Sequence, residues 1–90
     1  MKLSEYKKQN VFKNIKDSEQ YVVYYANTEI CTSEVYIQIL KHNLFNGYVS
    51  IDNKGQKQNI IIAETKKEAL INHLFMNNDF YADIQGIKLN

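Results

Sequence analysis

The sequence predicts an α+β domain, and three observations carry that prediction. "YVVYYAN" (21–27) is dense in β-branched and aromatic residues, as strands are. "YVSID" (48–52) and "NIIIAE" (59–64) flank a turn at Asn53–Gly55 and read as a β-hairpin. Thr65, followed three residues later by Glu68, opens a helix with a capping box, and Leu70, Ile71, Leu74 and Phe75 form its apolar stripe.

The remaining elements follow in order. "LSEYKKQNVFKNI" (3–15) reads as a short amphipathic helix capped by Ser4, with Leu3, Val11, Phe12 and Ile15 as its apolar contacts. "KDSEQ" is a polar break, and the strand after it is apolar on both sides, so it is expected inside a sheet. "TSEVYIQILKHNLFNG" (32–47) carries two periods at once. "EVYIQIL" alternates as a strand does. On a helical wheel Val35, Tyr36, Ile39, Leu40 and Leu44 share a face opposite Glu34, Gln38, Lys41 and His42. With Thr32 or Ser33 as N-cap and Gly47 as stop, the segment 32–45 is read as a helix. "FYADIQGIKL" (80–89) is the last strand, and Gly86 suggests a bulge or a close approach.

The order is then an N-terminal helix (1–16) followed by a βαββαβ core (20–90), all in one domain. A weak internal repeat agrees: "YYANTE" resembles "IIAETK", and "HNLFNGYVSI" resembles "HLFMNNDFYADI". Two such units predict a ferredoxin-like plait, with four antiparallel strands, two helices on one face and the N-terminal helix available to cover the other.

Composition narrows the function classes. With 90 residues and 44% hydrophobic content the chain folds around one modest core. The net charge of +1 creates no global field for nucleic acid or membrane. Its distribution is uneven: Lys2, Lys7, Lys8, Lys13 and Lys16 stand against Glu5, while Asp17, Glu19, Glu29, Glu34 and Asp52 stand against Lys41. The two regions are expected to compensate each other within the fold. All 11 basic residues are lysine, which disfavours the bidentate base reading that arginine performs. The 11 Lys, 11 Asn and 11 Ile, with no Pro or Trp, suggest AT-rich coding in a low-GC bacterium or its phages. Cys31 is the single cysteine, so no internal disulfide can form. No secretory h-region and no membrane-length apolar run is present, and a cytoplasmic location is expected.

No catalytic constellation is evident. His42 and His73 lack the spacing of zinc ligands and are read as surface or structural residues, His73 beside its helix dipole. Cys31, at the expected start of a helix, could carry a lowered thiol pKa, but nothing fixes a base beside it. Asp79 and Asp83 on a strand would stand roughly 13 Å apart, too wide for a carboxylate pair. No metal, cofactor or enzymatic activity is therefore expected. Seven tyrosines suit a protein interface instead. The candidate partner contacts are Tyr21, Tyr24, Tyr25, Tyr48, Phe80 and Tyr81, with the acidic Glu29, Glu34 and Asp52.

The stretches "IDNKGQKQNIIIAET" and "DFYADIQGIKLN" resemble the C-terminal half of small Cas9-inhibiting anti-CRISPR proteins carried by prophages of low-GC bacteria. The resemblance implies a non-enzymatic, phage-encoded module that inhibits a host defence protein, such as a CRISPR effector, by protein–protein contact. Those inhibitors are strongly acidic DNA mimics. This chain is charge-balanced and opens its later helix with Lys66 and Lys67, so no inhibitor residue is carried across. Two alternatives accompany this reading: a nucleic-acid binder using Lys2, Lys7, Lys8, Lys13 and Lys16, and a nucleotide- or small-molecule-binding ferredoxin-like dimer. A homodimer through a bare sheet face is expected as readily as a monomer.

Overall fold

A computed structural model describes residues 1–26, 31–54 and 58–90. Glu29 and Gly55, named above, lie outside these residues. The chain forms a short helix α1 (Leu3–Tyr6) and a 3-10 turn (Asn10–Phe12). Four strands follow: β1 (Gln20–Ala26), β2 (Thr32–Lys41), β3 (Tyr48–Asp52) and β4 (Gln58–Ile61). Helix α2 (Lys66–Met76) and strand β5 (Ile84–Leu89) complete it. The sheet has five antiparallel strands in the order β4-β3-β2-β1-β5. The α+β class holds, but the architecture is a four-strand meander extended by β5, not a four-stranded plait.

The difference originates at 32–45. Val35, Ile37 and Ile39 are buried and alternate with exposed Glu34, Tyr36, Gln38 and Leu40, which is the two-residue period of a strand. A helix would satisfy this segment's backbone alone. As β2 it instead bridges β1 and β3 with a ladder on each side, and three β-branched side chains fill one face of the sheet. Gly47 is not a helix stop. A Cβ there would collide with the Ile61 carbonyl and the Phe45 ring, so glycine permits close contact between the 42–47 loop and β4.

Elsewhere local signals are obeyed. β1 is internal, paired with β2 and β5. Thr65 Oγ1 accepts from the Glu68 amide at 3.1 Å, and Glu68 Oε2 accepts from the Glu64 amide at 3.2 Å, one residue earlier than a standard capping box. A register shift at Tyr24/Tyr25 faces Gly86 and its neighbours, and the Tyr24 ring would lie 3.9 Å from a Cβ at Gly86. The last strand starts at Ile84, later than expected. Asp83 before it adopts φ 49°, a left-handed turn conformation that aspartate tolerates. The N-terminal helix is shorter than expected and has no side-chain cap. The chain continues as a 3-10 turn that buries Phe12, and Tyr6 stacks on Phe12 and on Phe75 at centroid distances of 5.4 and 5.3 Å.

All helical structure lies on one face of the sheet. α2 packs across β2, β3 and β4, α1 rests on α2, and the 3-10 turn rests on β5. The core between these layers is Tyr21, Val23 and Tyr25 of β1, Val35, Ile37 and Ile39 of β2, and Ile61 of β4. Ala69, Leu70, Ile71 and Leu74 of α2, with Tyr6, Phe12 and Tyr81, complete it.

Candidate functional site

Strand β3 decides the character of both sheet faces. Its sequence alternates Tyr48, Ser50 and Asp52 with Val49 and Ile51. Ordinary patterning would turn the polar set to solvent and the apolar set inward. The observed register is the reverse. Ser50 and Asp52 are buried under α2, while Val49 and Ile51 lie on the outer face, only half-buried.

The inward polar groups find partners from distant parts of the chain. Ser50 Oγ lies 2.6 Å from His73 Nδ1, and His73 Nε2 lies 3.2 Å from the Tyr81 hydroxyl. Tyr81 donates a short hydrogen bond to Asp52 Oδ2, which is also 3.8 Å from His73 Nε2. The phenol proton is given to the carboxylate, while the Ser50 hydroxyl has two acceptors in reach, His73 Nδ1 and, at 3.5 Å, the Asn59 carbonyl. Burial holds the imidazole neutral, lowering its pKa from 6.5 to about 4 despite the opposing pull of Asp52. Burial also pushes the Tyr81 phenol far above its ordinary value, reinforced by its bond to Asp52. Asp52 Oδ1 is buried with no hydrogen-bond partner among the described residues.

Serine, histidine and aspartate together invite comparison with a hydrolytic triad. The geometry does not serve that chemistry. Ser50 and His73 have no exposed surface, so no substrate reaches the hydroxyl, and a tyrosine stands between imidazole and carboxylate. What the arrangement can do is lock β3, α2 and the segment after α2 together. The sequence reads His73 as a surface or structural residue beside its helix dipole, and the structural role is the one the fold gives it. The structure buries it because Ser50, Asp52 and Tyr81 converge on it from 8 to 23 positions away.

The outer face is the second candidate. The β-ladder registers place Ile60, Val49 and Leu40 in one row, then Ile51, Gln38 and Gln20, then Tyr36, Val22 and Lys88, and last Glu34, Tyr24 and Gly86. Tyr36 is 41% exposed, Leu40 37% and Ile60 62%. No helix of the described residues crosses this face. A depression of about 220 Å³ near its middle is lined by Gln20, Gln38, Ile51, Asn53 and Asn90, among others. Charge on this face comes from Glu34, which accepts from the Tyr36 hydroxyl at 3.3 Å, and from Lys88, whose ammonium stands 5.6 Å from the Tyr24 ring centroid. The Glu34 carboxylate raises the Tyr36 phenol pKa.

The expected partner contacts are thereby divided. Tyr24 and Glu34 lie on the outer face. Tyr21, Tyr25, Tyr81 and Asp52 are buried, the tyrosines because they point to the helix-covered side, and they are unavailable for contact. Tyr48 is half-buried against the core, and beyond the end of α2 Phe80 meets Tyr81 edge-to-face and Tyr25 at a tilt. Val49, Ile51, Tyr36, Leu40 and Ile60, absent from the expected set, join Tyr24 on the outer face. The alternation of β2 held the signal for Tyr36 and Leu40, but the inverted register of β3 had none.

The lysines are also redistributed. Lys7, Lys8 and Lys13 join Lys67 around a groove of about 610 Å³ that Phe12, Ile71, Thr65 and the acidic Glu68 also line, whereas Lys2 and Lys16 do not. No ion pair among the described residues makes the internal compensation expected of the two regions. Among the described residues the one acid–base contact within 4.0 Å is His73–Asp52. Asp17 instead caps α2, accepting from the Lys66 and Lys67 amides at 3.3 Å each. Cys31 is exposed just before β2, so the helix start that would have activated it does not exist. Among the described residues no group of three metal-ligating side chains forms, and no helix is long and apolar enough to cross a membrane. Comparison with family models, curated proteins and solved structures finds no match for this chain.

Proposed function

We propose that this protein is a non-enzymatic binding module that works by protein–protein contact through the outer face of its sheet. One observation carries the reading. Tyr36, Leu40 and Ile60 stay exposed beside Tyr24, Val49 and Ile51, forming an apolar band on a face that no helix of the described residues covers. Contiguous exposed apolar surface marks interaction sites in folded proteins, and the aromatic-rich composition fits one. The class of partner comes from the resemblance of the C-terminal half to prophage-borne inhibitors, which suggests a host defence protein of the CRISPR-effector kind.

The test is a photo-crosslinking residue at Tyr36, with Lys13 as the control site, in lysate of a low-GC host and with a purified CRISPR effector. The reading expects protein adducts from position 36 and none from position 13. Adducts from position 13 alone, or from neither, would count against it.

A second reading rests on the groove of Lys7, Lys8, Lys13 and Lys67, whose ammonium groups have no carboxylate within 4.0 Å among the described residues. Such a groove could hold a phosphodiester backbone. Binding of a duplex or single strand would then weaken steeply with salt, with a log–log slope of roughly −3 to −4 for four phosphate contacts. No binding at low salt removes this reading.

A further inference from the structure

We infer that the outer sheet face is covered by a second copy of this chain, related by a two-fold axis in the plane of the sheet. The inference rests on the reading of that face as a protein-contact surface and names its occupant. Three features point to self-association rather than to an unrelated partner.

The first is shape. With strands about 4.8 Å apart and same-face residues about 6.8 Å apart along a strand, the apolar positions form a diagonal band. It runs from Ile60 and Val49 at one corner, through Ile51 and Tyr36, to Tyr24 at the other. A diagonal band can be laid on a copy of itself by rotation about its own long axis.

The second is charge. A two-fold contact uses the same patch on both copies, so charges off the axis must meet their opposites after rotation. Glu34 lies on one side of the diagonal, across from Tyr24 on β1, and Lys88 on the other, across from Val22. On the flat lattice the two are roughly level along the band. Rotation about the band therefore brings Lys88 of each copy onto Glu34 of the other, twice per dimer.

The third is size. Five strands and some six residues of each span roughly 24 by 20 Å. Side-chain relief enlarges that footprint toward the ~800 Å² per partner of a standard interface. Two such sheets face to face would also supply the second layer that an apolar sheet face otherwise lacks.

Sedimentation velocity on the full chain across a wide concentration range tests the inference. The wild type is expected to show a reversible monomer–dimer equilibrium. Glu34→Lys and Lys88→Glu should each weaken dimerisation by roughly ten-fold or more, since each change sets two like-charge pairs across the axis. The double variant E34K/K88E should recover most of the loss, and Leu40→Lys should leave a monomer. These positions are exposed or lie at the sheet surface, and circular dichroism of each variant confirms its fold. A wild type monomeric at every concentration overturns the inference, as does a double variant no better than the single ones. If the wild type is monomeric while position 36 crosslinks to another protein, the second copy is excluded and the contact-surface reading stands. Absence of both results discards both.

Discussion

The two faces of this sheet follow opposite rules, and β3 shows why. On the inner face Ser50 and Asp52 sit where valine or isoleucine would be ordinary, and a serine–histidine–tyrosine–aspartate chain holds them, with Asp52 Oδ1 left unpartnered among the described residues. On the outer face Val49 and Ile51 sit where polar residues would be ordinary, and nothing in the described fold fully covers them. A shift of β3 by one residue would exchange the two sets and remove both anomalies. The inverted register persists because His73 and Tyr81 reward the buried polar set, and its by-product is an apolar outer surface. The difference separates residues that hold the fold from residues that are available for function.

The largest way to break this comparison is to empty the inner face. Leu74→Ala, fully buried in α2, should lower stability by roughly 3–5 kcal/mol in urea unfolding. Tyr81→Phe should cost about 3 kcal/mol, because it removes the one hydrogen-bond donor Asp52 has among the described residues and leaves a buried carboxylate. Its measure is the shift in urea midpoint at constant m-value.

A pH series sharpens the same side. The folded-state pKa of His73 is lowered from 6.5 to about 4, so this group stabilises the fold fully above 6.5. Below that value the unfolded chain takes up a proton that the folded chain refuses, and the stability is lost as pH falls toward 4. The loss is on the order of 3 kcal/mol across the window. His73→Gln should be less stable at neutral pH and should lack this contribution to the slope. A variant slope identical to the wild type would show that the imidazole is not held neutral.

Smaller effects belong to the helix end and the outer face. Thr65→Ala should cost about 1 kcal/mol through the lost N-cap, read as a lowered thermal midpoint. Leu40→Ser, measured where the chain is dilute, should change monomer stability by less than about 1 kcal/mol, although the residue is leucine. An effect as large as that of Leu74→Ala would erase the distinction between the faces.

How much was legible follows the range of the interactions. Thr65 and Glu68 marked α2 because capping is settled within four residues. "YVVYYAN" and the β3–β4 pair were legible from local composition. The segment 32–45 was misread because both periods fit it, and the ladders to β1 and β3 that decide the matter join residues far apart in sequence. With that helix gone, the βαββαβ order and the apparent repeat lose their structural meaning. The candidate contacts suffered in the same way. Tyr21 and Tyr25 look like Tyr24 in sequence, and only the side on which α2 lands separates buried from accessible. The polar chain under α2 was least legible of all, since "YVSID" alone reads as polar-out.

Hydroxyl-radical footprinting at low and high protein concentration, and with any crosslinked partner added, tests the central claim most directly. Tyr36, Leu40 and Ile60 report on the outer face, and exposed Leu44 and Met76 serve as references elsewhere on the molecule. The account predicts protection confined to the first three when a second copy or a partner is present. Equal labelling of all five under every condition, or protection centred on Leu44 and Met76, would contradict it.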